Sequence, residues 1–204
     1  MSKMIKEEFE RQVQNLLQKD YPKLAGIAEE EFLKLIRPLK EKLEGLNLAE
    51  IDLEKGYLPF VIVVKSKFVP TEKAMEGIVK LSPLSSEDFK PIESVNIPSS
   101  SVYLLLDIDR GKETLNVPPS EAFKMIQKQG RSPLTIDEGV AILTQYPQFL
   151  IKNNCFSLLA SRAEDKRVPA IWINSKKQPN LGWCWDGNPH TWLGSASVKS
   201  RMGF

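Results

Sequence analysis

The first fifty residues carry apolar side chains at steps of three and four. In residues 2–19 the repeating apolar positions are Ile5, Phe9, Val13, Leu16 and Leu17. A similar run spans residues 29–44 and contains Pro38. This spacing predicts two amphipathic helices, and the proline predicts a kink or a break in the second. Tyr21-Pro22 separates the two helices because a residue that precedes proline disfavours helical geometry.

After Tyr57 the pattern changes to short, continuous apolar runs. LPFVIVV (58–64) and VYLLLDID (102–109) are rich in β-branched and aromatic residues, which predicts buried strands. The segment between them, residues 82–101, is rich in Ser and Pro and holds few apolar residues. We therefore expect a long surface connection there, with room for one short strand.

Two further helices are predicted in the second half of the chain. Pro118-Pro119-Ser120 opens a helix that continues to about Lys128 and stops at Gly130. Thr135 and Glu138 have the spacing of a capping box, which marks the start of the next helix.

The chain closes with runs that resemble strands. They are CFSLLAS (155–161), VPAIWIN (168–174) and LGWCW (181–185). The residues after Gly194 are small and polar, and we expect that tail to be partly disordered. The order of elements predicts one α+β domain over residues 1–204: N-terminal helices, a mostly antiparallel sheet with further helices, and a C-terminal β meander. The pattern leaves open whether residues 1–50 form a semi-separate subdomain.

Composition narrows the classes of function. The chain has 204 residues, 42% of them hydrophobic and 26% charged, as in a globular protein. Its 28 basic and 26 acidic residues are spread evenly, without the concentrated basic face of a nucleic-acid binder or the polybasic run of a membrane-surface protein. The longest apolar run, LPFVIVV, is too short to cross a bilayer. Two cysteines and no export signal favour reduced thiols and a cytoplasmic location.

The stretch LGWCWDGNPHTWLG (181–194) is the strongest candidate for a site. It holds three of the four tryptophans, the single histidine and one of the two cysteines. Strand alternation places Leu181, Trp183 and Trp185 on one face. Residues 186–189, DGNP, predict a turn that brings His190 and Trp192 to the far side.

These residues predict a pocket for a small planar or anionic molecule. Indole rings supply stacking surface, polar side chains in and after the turn supply directional contacts, and one or two arginines neutralise ligand charge. The predicted ligand-binding residues are Trp183, Trp185, Asp186, Asn188, His190, Trp192, Arg131 and Arg162.

Other interpretations remain open. The rings could simply fill a core, or exposed tryptophans could dock a protein partner. An enzyme could use His190 as proton carrier, with Cys184 as nucleophile or with the carboxylates of Asp107 and Asp109 as its partner. Those two aspartates are two residues apart at a strand end, a spacing that could also hold Mg²⁺. The cysteine and histidine spacing argues against zinc.

Several common motifs are missing from the sequence. There is no Gly-rich phosphate loop, no HExxH and no GxSxG, which excludes the motif-bearing nucleotide hydrolases, zinc proteases and α/β-hydrolases. We therefore expect no cofactor and no metal. The oligomeric state cannot be derived from the sequence.

The segments GRSPLTIDEGVAILTQYP and RVPAIWIN…LGWCWDGNPHTWLGSAS resemble a family of bacterial proteins of about this length that are described only as uncharacterised, a domain of unknown function. FERQVQNLLQKDYPKLAG and YLLLDIDRG are similar to that family too. The resemblance implies a single unit of this length, and it transfers no reaction and no catalytic residue.

Overall fold

The structure, a computed structural model, describes residues 3–204. The helices are α1 (Lys3–Gln18), α2 (Tyr21–Ala25), α3 (Glu29–Ile36), α4 (Leu39–Lys42), α5 (Thr71–Ala74), α6 (Pro119–Lys128) and α7 (Ile136–Gln145). The strands are β1 (Tyr57–Val64), β2 (Lys90–Pro91), β3 (Val102–Asp109), β4 (Ser132–Pro133), β5 (Cys155–Ser157), β6 (Ser161–Arg162), β7 (Arg167–Ile173), β8 (Pro179–Trp185), β9 (Leu193–Ser195) and β10 (Ser197–Met202).

The predicted helices are confirmed within the described residues. Residue 2, where the first prediction began, lies outside them. The predicted break at Pro38 separates α3 from α4. The capping box at the start of α7 is formed, because Thr135 N donates to Glu138 Oε2 at 2.8 Å and Glu138 N donates to Thr135 Oγ1 at 3.4 Å.

The strands form two four-stranded sheets and one two-stranded ladder, and the α+β prediction is confirmed. The first sheet has the order β1-β3-β10-β4 and is antiparallel. The second has the order β8-β7-β5-β9, in which only β5 and β9 run parallel. The ladder joins β2 to β6 and ties the Ser- and Pro-rich connection to the C-terminal half.

Each face of the first sheet covers a separate hydrophobic core. On one face, Phe60, Ile62 and Leu104 pack with the apolar stripes of α1, α3 and α4. On the other face, Val61 and Tyr103 pack with α6, α7 and the second sheet. Strand alternation directs neighbouring residues to opposite faces, so β1 and β3, in the middle of these two cores, bury most of their side chains.

The alternation changes phase at Asp107. Leu106 belongs to the core under the N-terminal helices, whereas Ile108, two residues later, belongs to the opposite core. Asp107 has φ of 57°, a left-handed conformation that re-aims the end of the strand. A simple period of two therefore does not hold at the end of β3.

The expectation of a partly disordered tail is wrong. Residues 193–195 pair in parallel with β5, and residues 197–202 pair with β3 in the middle of the first sheet. The small residues are needed for close backbone approach, since a Cβ on Gly194 would lie 2.3 Å from Gly111 O. Ala196 alone separates the two strands, so the tail links both sheets directly.

Within residues 3–204, no helix is both long enough and apolar enough to span a bilayer.

Candidate functional site

The β7–β8 hairpin determines where the aromatic side chains lie. In its register, Arg167 is opposite Trp185 and Pro169 is opposite Trp183. Residues that are directly opposite in an antiparallel pair project to the same face. Trp183, Trp185 and Arg167 therefore share one face of the hairpin, as the alternation predicted for the two indoles.

The guanidinium of Arg167 lies against both rings on that face. Its Cζ is 4.2 Å from the Trp183 ring centroid and 5.1 Å from that of Trp185. The two indoles meet edge to face with centroids 5.4 Å apart. Trp183 Nε1 also donates to Ser82 O at 3.2 Å. This face is therefore held together by cation–π contacts and one hydrogen bond.

The fourth tryptophan, Trp172, lies on the opposite face, above Gly182. A Cβ on that glycine would be 2.1 Å from Trp172 Cη2, so the indole occupies the space of the missing side chain. Trp172 contacts Trp192 with ring centroids 6.2 Å apart, and Trp192 in turn contacts His190 at 5.2 Å. Trp172 was not among the residues predicted from the sequence to form the site. Gly182 was the signal in the sequence that another side chain lies against this strand, because a glycine inside a strand marks close approach by another group.

Backbone hydrogen bonds position the segment that carries His190. Asn116 N donates to His190 O at 2.9 Å, and Ser120 N donates to Asp186 O at 3.1 Å. Cys155 N donates to Trp192 O at 3.0 Å. The predicted turn is thus anchored through main-chain atoms, which leaves its side chains available for other contacts.

The aromatic residues border an open space of about 350 Å³, which we call the aromatic cleft. Its lining comes from β7, β8, the first residue of β9 and the loop between β8 and β9. Its lining residues are Trp172, Trp183, Cys184, Trp185, Asn188, His190, Trp192 and Leu193.

Most polar groups of the aromatic cleft have no partner among residues 3–204. The His190 imidazole makes a ring contact with Trp192 and takes part in no hydrogen bond or ion pair there. Of the four indole N–H groups, only that of Trp183 has an acceptor in the described part of the chain. None of these atoms is fully buried, so water or a ligand can reach them.

Cys184 lies beside the aromatic cleft but is poorly suited to act as a nucleophile. The side chain is buried, and burial raises the pKa of its thiol, which favours the neutral form. Its Sγ lies 3.9 Å from Ser157 Oγ. The described residues show no hydrogen bond between Cys184 and His190.

Three charged residues of the predicted site take partners outside the aromatic cleft. Arg162 Nη2 lies 2.9 Å from Asp186 Oδ1, an ionic contact without hydrogen-bond angles. Arg131 donates to Asp107 Oδ1 at 3.1 Å and to Ser197 Oγ at 2.8 Å. Neither arginine, nor Asp186, lines the cleft. The structure thus separates these charges from the indoles and His190.

The carboxylates of Asp107 and Asp109 take separate partners. Asp107 pairs with Arg131, whereas Asp109 Oδ1 accepts from Gly111 N at 2.7 Å. In the part of the chain that the structure describes, no three His, Cys, Asp or Glu side chains are grouped in a way that could hold a metal ion.

A family described as a family of unknown function (DUF5701) matches residues 15–204. No curated protein and no solved structure matches.

Proposed function

We propose that this chain, which belongs to the DUF5701 family of unknown function, binds a small planar molecule in the aromatic cleft. One observation supports the proposal most directly. Indole rings border an open space of about 350 Å³, within the range of ligand sites in proteins, and it is not filled by side chains. A tryptophan cluster that served only as core would be closed, and Trp185 would not be 41% exposed.

The polar groups at the aromatic cleft favour a ligand that carries hydrogen-bond acceptors. The indole N–H groups of Trp172, Trp185 and Trp192 have no acceptor within residues 3–204, and the Asn188 amide and the His190 ring are available as well. A planar heteroaromatic ring can stack on indole and accept from these donors in its own plane.

The lining contains no arginine or lysine side chain. The two arginines expected to neutralise an anion, Arg131 and Arg162, are paired with Asp107 and Asp186 instead. Arg167 lies against the rings of Trp183 and Trp185 but outside the lining, and its Nε is 3.2 Å from Asp165 Oδ2. The geometry therefore favours an uncharged planar ligand over an anionic one.

Calorimetric titration with three small probes tests planarity and charge separately. Quinoline is planar, uncharged at neutral pH and carries one acceptor; 2-naphthoate is planar and anionic; cyclohexanol is neither planar nor charged. We expect quinoline to bind most tightly, 2-naphthoate more weakly and cyclohexanol not measurably. Equal binding of all three would contradict a stacking site.

A matched pair of variants assigns the binding to the aromatic cleft. Trp192→Leu removes one wall, and we expect it to weaken quinoline binding by about tenfold, the equivalent of one stacking contact. Tyr57→Leu removes a ring that is 40% exposed elsewhere and should leave binding unchanged. Equal effects of the two substitutions would place the binding outside the aromatic cleft.

The exposure of Trp185 favours a second candidate, a surface that docks a protein partner. Trp185 is 41% exposed, and the guanidinium of Arg167 lies against its ring and that of Trp183. Trp and Arg are the residues that most often anchor interfaces. Size-exclusion chromatography distinguishes this candidate. A self-association that Trp185→Ser abolishes supports it, and a monomer at every concentration contradicts docking of a second copy.

A further inference from the structure

A second open space, which we call the lysine–aspartate cleft, lies between the start of α7 and the Ser- and Pro-rich connection. It measures about 680 Å³. One side consists of Lys65, Tyr103, Thr135 and Asp137, and the other consists of residues 91–97. None of these residues belongs to the aromatic cleft.

Three charged side chains border this cleft, Lys65, Asp137 and the exposed Glu93, and no two of them form an ion pair within the described residues. Lys65 Nζ donates to Pro98 O and lies 5.8 Å from the Tyr103 ring centroid. Asp137 Oδ2 accepts from Ser66 N at 3.1 Å. Within residues 3–204 neither Lys65 nor Asp137 has an ion-pair partner, and the two do not pair with each other. Burial raises the pKa of Asp137 and lowers that of Lys65, because for each group the loss of water outweighs the attraction of the other charge.

The next residue along the chain shows that this fold can give a buried carboxylate an ion-pair partner. Glu138 follows Asp137 directly and is fully buried, yet it pairs with Arg201 through two hydrogen bonds of 2.5 and 2.8 Å. Lys65 and Asp137 are instead half-buried and border an open space. A bound molecule that carries both charges could pair with each of them.

We propose that the lysine–aspartate cleft binds a zwitterionic amino acid with an apolar side chain. Its carboxylate pairs with the Lys65 ammonium and its ammonium pairs with the Asp137 carboxylate. Apolar residues of the facing segment, Ile92, Val95 and Ile97, then cover the ligand side chain. The volume of about 680 Å³ accommodates a large apolar side chain as well as the two charged groups.

Three related ligands test the two charges one at a time by calorimetric titration. L-leucine carries both charges, L-leucinamide carries only the ammonium, and 4-methylpentanoate carries only the carboxylate. Because a charge-assisted hydrogen bond in a partly buried site is worth about one to two orders of magnitude in affinity, we expect each single-charge ligand to bind at least about tenfold more weakly than L-leucine. Failure of L-leucine to bind at any concentration up to saturation would overturn the proposal, as would equal affinity for all three ligands.

Two variants assign each charge to its partner. In Asp137→Asn, L-leucine should lose its advantage over 4-methylpentanoate, since the ligand ammonium no longer has a carboxylate to pair with. In Lys65→Met, and equally in Lys65→Gln, L-leucine should lose its advantage over L-leucinamide, since the ligand carboxylate no longer has an ammonium to pair with. This crossed loss of selectivity cannot arise from partial unfolding, which would weaken binding of every ligand. A uniform loss in both variants would therefore overturn the assignment.

Two controls complete the test. Lys67→Met removes an exposed lysine two residues from Lys65 and should leave all three affinities unchanged. Trp192→Leu changes a residue that does not line the lysine–aspartate cleft, and it should also have no effect on L-leucine. The two proposed sites can therefore fail independently.

Discussion

The aromatic cleft and the buried ion pair of Glu138 with Arg201 differ in how many hydrogen-bond partners the protein gives their polar groups. Glu138 accepts hydrogen bonds from the Arg201 guanidinium, the Tyr103 hydroxyl at 2.9 Å and Thr135 N at 2.8 Å. Arg201 donates in addition to Ser132 Oγ and to Pro133 O. In the aromatic cleft, by contrast, the described residues offer the His190 imidazole no hydrogen-bond partner.

The contrast distinguishes a structural site from a candidate functional one. A buried polar group that lacks a partner costs free energy, so a fold that uses such a group for stability surrounds it with partners. Groups left without protein partners but open to solvent are available to a ligand. Substitutions in the first region should therefore change stability most, and substitutions in the second should change binding most.

The largest effect is expected from Arg201→Met. This change leaves the Glu138 carboxylate buried without a counter-charge, which costs about 3–5 kcal/mol. Urea denaturation monitored by circular dichroism measures the free energy of unfolding. Lys199→Met, at an exposed position in the same strand, is the control and should change that free energy by less than about 0.5 kcal/mol. Equal stability of the two variants would show that the ion pair of Glu138 with Arg201 does not stabilise the fold.

A second, intermediate effect is expected from Gly182→Ala. The added Cβ would lie 2.1 Å from Trp172 Cη2, so the indole must move. We expect a loss of about 1–3 kcal/mol in stability, as for other overpacked sites, together with a shift in tryptophan fluorescence. Gly187→Ala is the matched control, because no other group lies within 4 Å of the position that its added Cβ would take. An unshifted fluorescence spectrum in Gly182→Ala would show that Trp172 does not rest on this glycine.

Local patterns were sufficient to predict most of the fold. The capping box at Thr135 and the break at Pro38 each depend on a few neighbouring residues, and both are confirmed. The tail was not predicted, because residues 197–202 are stabilised by pairing with β3, a strand that lies far earlier in the chain. Ser197 and Ser200 carry no apolar pattern of their own, so a long-range contact decides their structure.

The candidate site was predicted only in part, for a similar reason. That Trp183 and Trp185 share a face follows from alternation within one strand. The division of the aromatic residues between two faces, and the contact of Arg167 with both indoles, depend on the register of β7 against β8. That register, like the pairing of Arg131 with Asp107, cannot be derived from local spacing.

A third prediction concerns His190→Ala, whose effect on stability should be small. The imidazole makes one ring contact and no hydrogen bond within residues 3–204, so we expect the free energy of unfolding to change by less than about 0.5 kcal/mol. Quinoline binding should weaken in the same variant. Thermal unfolding and calorimetric titration measure the two effects. A stability loss as large as that of Gly182→Ala would show that the imidazole is structural, and the contrast between the two regions would fail.

The smallest change in the free energy of unfolding, and the only increase, is expected from Asp137→Asn. Burial raises the pKa of Asp137 above its ordinary value of 3.8, so folding favours the protonated carboxyl. The favourable contribution of this group is therefore fully present below pH 3.8 and is lost as the pH rises through the folded-state pKa. Asparagine resembles the protonated form and can still accept from Ser66 N. At neutral pH the variant should thus be slightly more stable than the parent chain.

The pH dependence separates this explanation from others. The advantage of Asp137→Asn should shrink as the pH falls through the raised pKa of the folded parent, because the parent carboxyl then becomes protonated as well. Glu138→Gln, one residue later, should instead lose stability at neutral pH, because it leaves the Arg201 charge buried without its partner. Two adjacent acidic residues would then respond with opposite signs, one satisfied by the fold and the other open to a ligand. If Asp137→Asn lost stability at neutral pH, Asp137 would belong with the structural residues, and the lysine–aspartate cleft would lose the unpaired charge on which the proposed amino-acid site depends.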